Sequence, residues 1–349
     1  MASRTQRTVY VVRNNFEISC FSNAFKIRTF STDKRRIINK LPAKHIGHIV
    51  AIGHGSISTA ALELCARYGV ALTVMRFNGA IVANLFSLKN SCLKAVNMPA
   101  ATTIDKDFCF ILGKKFCTEK ITAQLSMLRA WQRRSPQVDF RFEIARLAEL
   151  LRRLVLLKSQ SLESLRGLEG LSASSYFSCL RVRARERFSE FYSNCRTRRP
   201  PLDFLNCLLS FAYSLLIAEV SVALISAGLA LGPGFLHNGR EHGRRGLVLD
   251  FMEPYRISIA DRTVLRTVNR GQINVKSDFY KDEIRGGFYL TESGKRTLVK
   301  EFERTMTTIS RLGKIAASHK DMRGEMIEHA KVLAGLILTN TNNTSNRNS

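Results

Sequence analysis

Four residues in three separated stretches have types suited to holding a hard metal ion. They are Glu169 in Leu168-Glu169-Gly170, His237 closing Gly234-Phe235-Leu236-His237, and Asp250 with Glu253 in Leu249-Asp250-Phe251-Met252-Glu253-Pro254. Carboxylate oxygens and an imidazole nitrogen suit Mg2+ or Mn2+, and such an ion would stabilise negative charge developing on a phosphoryl group. If 248–253 is helical, Asp250 and Glu253 stand three apart and project from one face; either can then join Glu169 and His237. Each piece alone also has a plainer reading. Glu169 suits a solvated helix end, His237 a hydrogen-bonded core histidine, and the acidic pair a complement to a helix dipole.

Charge points to the substrate class. Fifty-four Lys and Arg against 28 Asp and Glu give a formal net charge of +26, an excess that a protein serving only small metabolites does not need. It favours a polyanion, most simply nucleic acid, with an anionic membrane surface as the alternative. Arg240, Arg244 and Arg245 lie in the loop between the His237 and Asp250 stretches and are candidates to grip phosphates beside a metal. Arg196, Arg198 and Arg199 precede Pro200-Pro201. Arg181, Arg183, Arg185 and Arg187 fan around a helix and default to a solvated face. Tyr176 suits either a strand-positioning aromatic or a core residue. His45, His48 and His54 fall on strand and loop text and are not expected to form a site; His242 is a loose loop histidine.

These residues need a scaffold, and its text changes character along the chain. Residues 1–96 read as β-rich: Val9–Val12 is an apolar run, Phe16, Ile18 and Cys20 alternate with polar neighbours, as do Phe25 and Ile27, and 46–52 suits a buried strand. Ser58 to Tyr68 reads as one short helix closed by Gly69, and Asn78-Gly79 marks a hairpin. This region holds fourteen Lys and Arg against Glu17, Asp33 and Glu63. Pro99 and its polar neighbours mark a linker at 97–106. From 107 to 338 the expected domain is all-helical, with Ile144, Leu147, Leu151 and Leu154 at helical spacing and further helices over 204–229, 296–310 and 320–338. The polar run 339–349 is expected to be a disordered tail. The fold class is therefore α+β, a strand-rich N-terminal domain followed by a larger helical one.

Composition removes several alternatives. At 45% apolar and 23% charged the chain is globular, not disordered. The eight cysteines form no Cys-x-x-Cys pair, which argues against structural zinc. Residues 1–20 lack a continuous apolar leader, so the thiols are expected to be reduced, in a cytoplasm. Between Phe204 and Leu236 the only charge is Glu219. It divides the stretch into runs short for a membrane span, and buried helices are expected there.

Taken together, the three stretches resemble the CRISPR-associated adaptation endonuclease, the integrase subunit that inserts new spacers. RRPPLDFLN (198–206), SLLIAEVSVALISAGL (214–229) and YLTESGKR (289–296) are similar to that family in the same order, as are HIGHIVAIGHGSISTAAL (45–62) and VALTVMRFNGAIVANL (70–85). The likeness covers most of 8–310, and it implies that Arg198 and Arg199, with Arg196, form a shaped contact near the DNA. Asp203-Phe204 and Ala230-Leu231 depart from the Asp-Pro the family usually shows. The resemblance implies Glu169, His237 and Glu253 as metal-binding catalytic residues, Asp250 as a further ligand or a support, and Mg2+ or Mn2+ as cofactor. It implies an N-terminal domain that dimerises and contacts DNA, and two homodimers flanking a dimer of a small ferredoxin-like partner around duplex DNA in a prokaryotic cytoplasm. The implied reaction is attack of a spacer 3′-hydroxyl on a phosphodiester at the repeat edge. A mobile-element integrase of the same family, and a non-catalytic basic DNA-binding scaffold, are the alternatives.

Overall fold

A computed structural model describes residues 7–30, 35–87, 106–158, 161–187, 189–191, 195–237, 245–308 and 321–345. The N-terminal part is built on two sheets. In the first, β1 (Arg7–Val12), β5 (Ile46–Ile52) and β7 (Ala71–Met75) run parallel, and β8 (Ile81–Leu85) is antiparallel to β7. In the second, β4 (Arg35–Pro42), β3 (Ala24–Phe30) and β2 (Phe16–Phe21) form an antiparallel meander, and β6 (Gly55–Ile57) joins β2 in parallel.

The central strand β5 explains why its sequence is apolar without alternation. Successive side chains point to opposite faces, and here both faces are covered. Ile49 and Ala51 join a core with Phe16, Ile18, Phe25 and Ile27 of the second sheet. Val50 and Ile52 join the larger core shared with the helices. A parallel strand buried on both sides reads as one hydrophobic run. The crossover helix α1 (Thr59–Tyr68) starts at Ser58, whose hydroxyl accepts from the Ala61 amide, and ends at Gly69 with φ +68°, a left-handed cap that favours glycine. The β7–β8 hairpin turns at Asn78-Gly79, with Gly79 at φ +90°.

The remainder is mostly helical: α2 (Lys106–Arg134), α3 (Arg141–Leu156), α4 (Leu162–Arg187), α5 (Phe204–Ser226), α6 (Gly246–Tyr255), α7 (Arg262–Asn269), α8 (Glu292–Met306) and α9 (Met322–Ser345). The α3 helix buries Leu147, Leu150 and Leu154, the face its periodicity predicts. Asp203 caps α5 by accepting from the Asn206 amide at 2.7 Å. The α5 helix is long and apolar enough to cross a membrane, yet 72% of its apolar window is buried inside the protein. It continues through Glu219 rather than dividing there, because that carboxylate is fully partnered. Oε1 accepts from Tyr10 Oη and Arg323 Nη2, both at 2.8 Å, and Oε2 from Arg323 Nε at 3.0 Å.

The all-helical expectation needs correction in one place. Strands β9 (Phe279–Asp282) and β10 (Gly287–Leu290) form an antiparallel hairpin that packs Phe279 and Phe288 against Phe204, with ring centroids 4.8 Å apart in each case. Four-residue strands carry too little alternation to announce themselves among helices. The expected disordered tail is also corrected. The α9 helix continues to Ser345, carried past its buried Leu333 and Ile337, with Thr339 bonding back to the Gly335 carbonyl. The expected linker lies outside the described residues except for Lys106, which opens α2.

Candidate metal centre

Asp250 organises one side of the centre. It lies on α6 with no exposed surface, and its Oδ2 accepts from the amides of Phe235 at 2.6 Å and Leu236 at 2.9 Å. Its Oδ1 accepts from the His237 amide at 3.2 Å and faces His237 Nδ1 at 2.5 Å. One carboxylate thereby folds the 235–237 loop and orients its imidazole. Two glycines permit the close approach. A Cβ on Gly234 would lie 2.5 Å from Asp250 Oδ2, and one on Gly246 would lie 2.2 Å from the His237 carbonyl. Arg166, one turn before Glu169 on α4, donates to the Leu236 carbonyl at 3.0 and 2.8 Å. This bond ties the Glu169 helix to the His237 loop.

Glu253 completes the same face of α6, three residues after Asp250, and lies beneath the site. Its Oε1 is paired with Arg256 Nη1 at 2.7 Å. Its Oε2 lies 2.6 Å from Lys120 Nζ, yet is buried and receives no aligned hydrogen bond. Burial would raise the Glu253 carboxyl pKa, but Arg256 and then Lys120 outweigh it and hold it down to about 2. Lys120, on α2, also contacts Glu169 Oε1. Two carboxylates from different helices thus converge on one ammonium. After Pro254 the chain enters a widened π turn over Arg256–Asp261, an irregularity found disproportionately at functional sites.

His237 belongs to this neighbourhood. Burial would lower its pKa, but Asp250, then Glu253 and Glu169, raise it. Cys117 senses the same group, its thiol pushed up to about 12 by burial first and then by Glu169, with Glu253 and Asp250 adding and Lys120 opposing. The side chains of Glu169 and His237 are 21% and 22% exposed, so solvent reaches both. Among the described residues, no three His, Cys, Asp or Glu side chains stand close enough to form a finished metal cage. The donor chemistry nevertheless fits a hard divalent cation. Two carboxylates already share one positive centre, and the imidazole is oriented by a buried acid.

The other sequence candidates fare unevenly. Tyr176 is 1% exposed and stacked on Trp131 with centroids 5.8 Å apart; in the protein alone it is a core aromatic, with no face for a nucleic acid. Arg198 and Arg199 are exposed. Arg196 instead turns inward to Asn206 Oδ1 at 2.9 Å and Ser210 Oγ at 3.2 Å, and burial lowers its pKa to about 10. Arg245 is half-buried, with Nη2 at 3.4 Å from the Ile81 carbonyl. Arg240, Arg244 and His242 lie outside the described residues. Arg183 is buried and donates to Ser135 Oγ at 2.7 Å, not on a solvated face. Sequence reasoning missed Lys120, Arg166 and Arg256. The available signal for Lys120 was a charge on the same helical face as Cys117, Ile121 and Gln124.

Comparison with known proteins agrees with this architecture. A family model described as CRISPR associated protein Cas1 matches residues 9–304. The CRISPR-associated endonuclease Cas1 1 of Chlorobaculum tepidum is 33% identical over 275 residues, covering 76% of this chain and 77% of that protein. Endonuclease Cas1 3 of Thermus thermophilus is 31% identical over 280 residues, covering 79% and 78%. An exonuclease Cas4/endonuclease Cas1 fusion from Geobacter sulfurreducens is 33% identical over 263 residues, 74% of this chain but 46% of the fusion. Among solved structures, a CAS1 protein from Thermotoga maritima superposes with TM-score 0.76 at 21% identity, covering 95% of this chain and 97% of that one. A casposase bound to integration product gives 0.78 at 22% identity, covering 96% and 91%. These two show a shared fold. With the family model spanning most of its length and relatives above 30% identity over three quarters of it, this chain belongs to the Cas1 family of CRISPR-associated proteins.

Proposed function

We propose that the protein is a metal-dependent DNA integrase of CRISPR adaptation, joining spacer 3′-hydroxyls to phosphodiesters at the repeat ends. One observation carries this reading: Glu169 and Glu253, on different helices, converge on a single positive centre beside an imidazole held by a buried carboxylate. Glu169, His237 and Glu253 would hold Mg2+ or Mn2+, with His237 binding through Nε2 because Nδ1 faces Asp250. Bound there, the ion would neutralise charge building on the phosphoryl oxygens. Asp250 spends its oxygens on the loop and the imidazole, so it supports His237 rather than binding metal. Arg256 holds Glu253 ionised and in place. Exposed Arg198 and Arg199, within a net charge of +26, supply phosphate contacts that position DNA without reading its sequence. A homodimer, a small ferredoxin-like partner subunit and a prokaryotic cytoplasm complete the proposal. Structures of similar fold include a TtCas1–DNA complex and a Cas6-RT-Cas1–Cas2 complex.

A mobile-element integrase is the second reading, favoured by the casposase superposition. Fold does not separate the two, since both structures superpose almost equally well; identity above 30% to curated Cas1 endonucleases favours CRISPR adaptation. The test is an integration assay with labelled short duplex, supercoiled target and the partner subunit, with Mn2+ or with EDTA. A 3′-joined product at repeat ends, lost in EDTA, is expected. Product formed without divalent metal, or no product while DNA binding stays tight, would overturn the proposal. Insertion only of terminal sequences from a mobile element would select the second reading.

A further inference from the structure

The cation at the two carboxylates belongs to the chain itself. Lys120 is 3% exposed, on a helical face that it shares with buried Cys117, Ile121 and Gln124. A lysine at such depth is rare unless paired. Its ammonium contacts Glu169 Oε1 and lies 2.6 Å from Glu253 Oε2, while Arg256 takes the other Glu253 oxygen. Glu169 and Glu253 therefore meet where one cation touches both.

We propose that Lys120 is a placeholder cation: without metal its ammonium sits between Glu169 and Glu253, holds the two helices' carboxylates together, and is displaced as a divalent ion enters. This inference rests on the metal reading above. Two carboxylates crowded into a low-dielectric site repel, and one protonates unless a positive charge lies between them. An ammonium is compact and sits on a flexible four-carbon stem, so it can withdraw. One turn along α2, Gln124 Oε1 is buried and accepts no hydrogen bond, which offers the departing ammonium an acceptor. The arrangement explains why the described residues form no finished cage. Lysine, a monovalent stand-in, occupies the gap that a divalent ion would draw together.

Calorimetric titration of the full chain with Mn2+, without DNA, tests the idea alongside thermal melts. Lys120→Met should bind Mn2+ at least about ten-fold tighter, because the competing charge is gone. It should melt lower than wild type without metal and gain a larger shift when Mn2+ is added. Lys120→Arg, which keeps the charge, should not tighten binding. A purely structural lysine would instead lower melting in both states and leave affinity unchanged or weaker, overturning the proposal. Should Lys120→Met not fold, a wild-type crystal soaked in Mn2+ decides. Manganese between Glu169 and Glu253, with Lys120 Nζ beyond about 4 Å from both, supports displacement. Manganese bound with Lys120 still bridging overturns it. If wild type and Lys120→Met both fail to bind Mn2+, the metal reading itself fails.

Discussion

Among the described residues, two of the buried ionic clusters differ in how far they open to solvent. Where the N-terminal sheet meets the helices, Glu219 of α5 receives Tyr10 from β1 and a two-armed Arg323 from α9, which also grips Glu303 at 2.9 Å. Both Glu219 oxygens are bonded, and His48 Nδ1 of β5, 3.9 Å away, is buried without a hydrogen bond of its own. Around Glu253 the cluster opens outward: Oε2 faces Lys120 Nζ at 2.6 Å, and Glu169 and His237 are each about one-fifth exposed. A buried network closed off from solvent stiffens a joint, whereas one whose members reach solvent keeps capacity for something that is not protein. The contrast suits architecture at the first cluster and, under the proposed function, chemistry at the second.

Substitutions can break that contrast. The largest expected effect is on catalysis: Glu169→Gln should cut strand transfer at least about a thousand-fold, the scale of several kcal/mol of lost metal-assisted stabilisation. Its unfolding free energy should stay within about 1 kcal/mol of wild type, because the carboxylate is partly solvated. Retained strand transfer would move the chemistry elsewhere. Arg323→Met should do the reverse, costing about 3–5 kcal/mol in urea denaturation by stranding two carboxylates. Wild-type stability in that variant would show that the joint is held by apolar packing alone.

A third test reaches the wall behind α6, where His329 faces Tyr255 Oη through Nδ1 at 2.9 Å and its ring lies 4.8 Å from that of Phe251. Burial, with a smaller push from Lys115, lowers the His329 pKa from 6.5 to about 4. In this window the unfolded chain takes the proton first. Stability is therefore full above about pH 6.5 and falls by about 3 kcal/mol as pH drops to about 4. His329→Gln should flatten that part of the stability profile; an unchanged slope would place the titration elsewhere. The smallest effect concerns the rim: Arg198→Ala with Arg199→Ala should lower the salt dependence of DNA binding by about two units. An unchanged slope would remove these arginines from the interface.

Local chemistry was readable wherever one or two residues decide the backbone. Ser58 and Gly69 bound α1, Asn78-Gly79 turns a hairpin, and the apolar stretch Ile49–Ile52 of β5 marks a strand covered on both faces. The candidate ligands were readable as types, since few residue sets combine carboxylates with an imidazole in such text. Long-range partnership was not. Tyr176 has the composition of a contact residue and is core because Trp131 lies over it. The β9–β10 hairpin is too short for its period to register. Residues 339–345 look like tail but extend a helix that is already packed.

The change from strand-rich to mostly helical text, the excess of positive charge and the donor types at 169, 237, 250 and 253 were settled by the sequence, because each depends on neighbouring residues or on totals. Only the tertiary structure decided that Asp250 spends its oxygens on the 235–237 loop, and that Glu219 is a joint rather than an interruption. It alone brought Lys120, from a helix beginning at residue 106, between two acids 84 positions apart. Pairing energies of buried charges depend on distance and desolvation in space, and neither quantity is encoded in spacing along the chain.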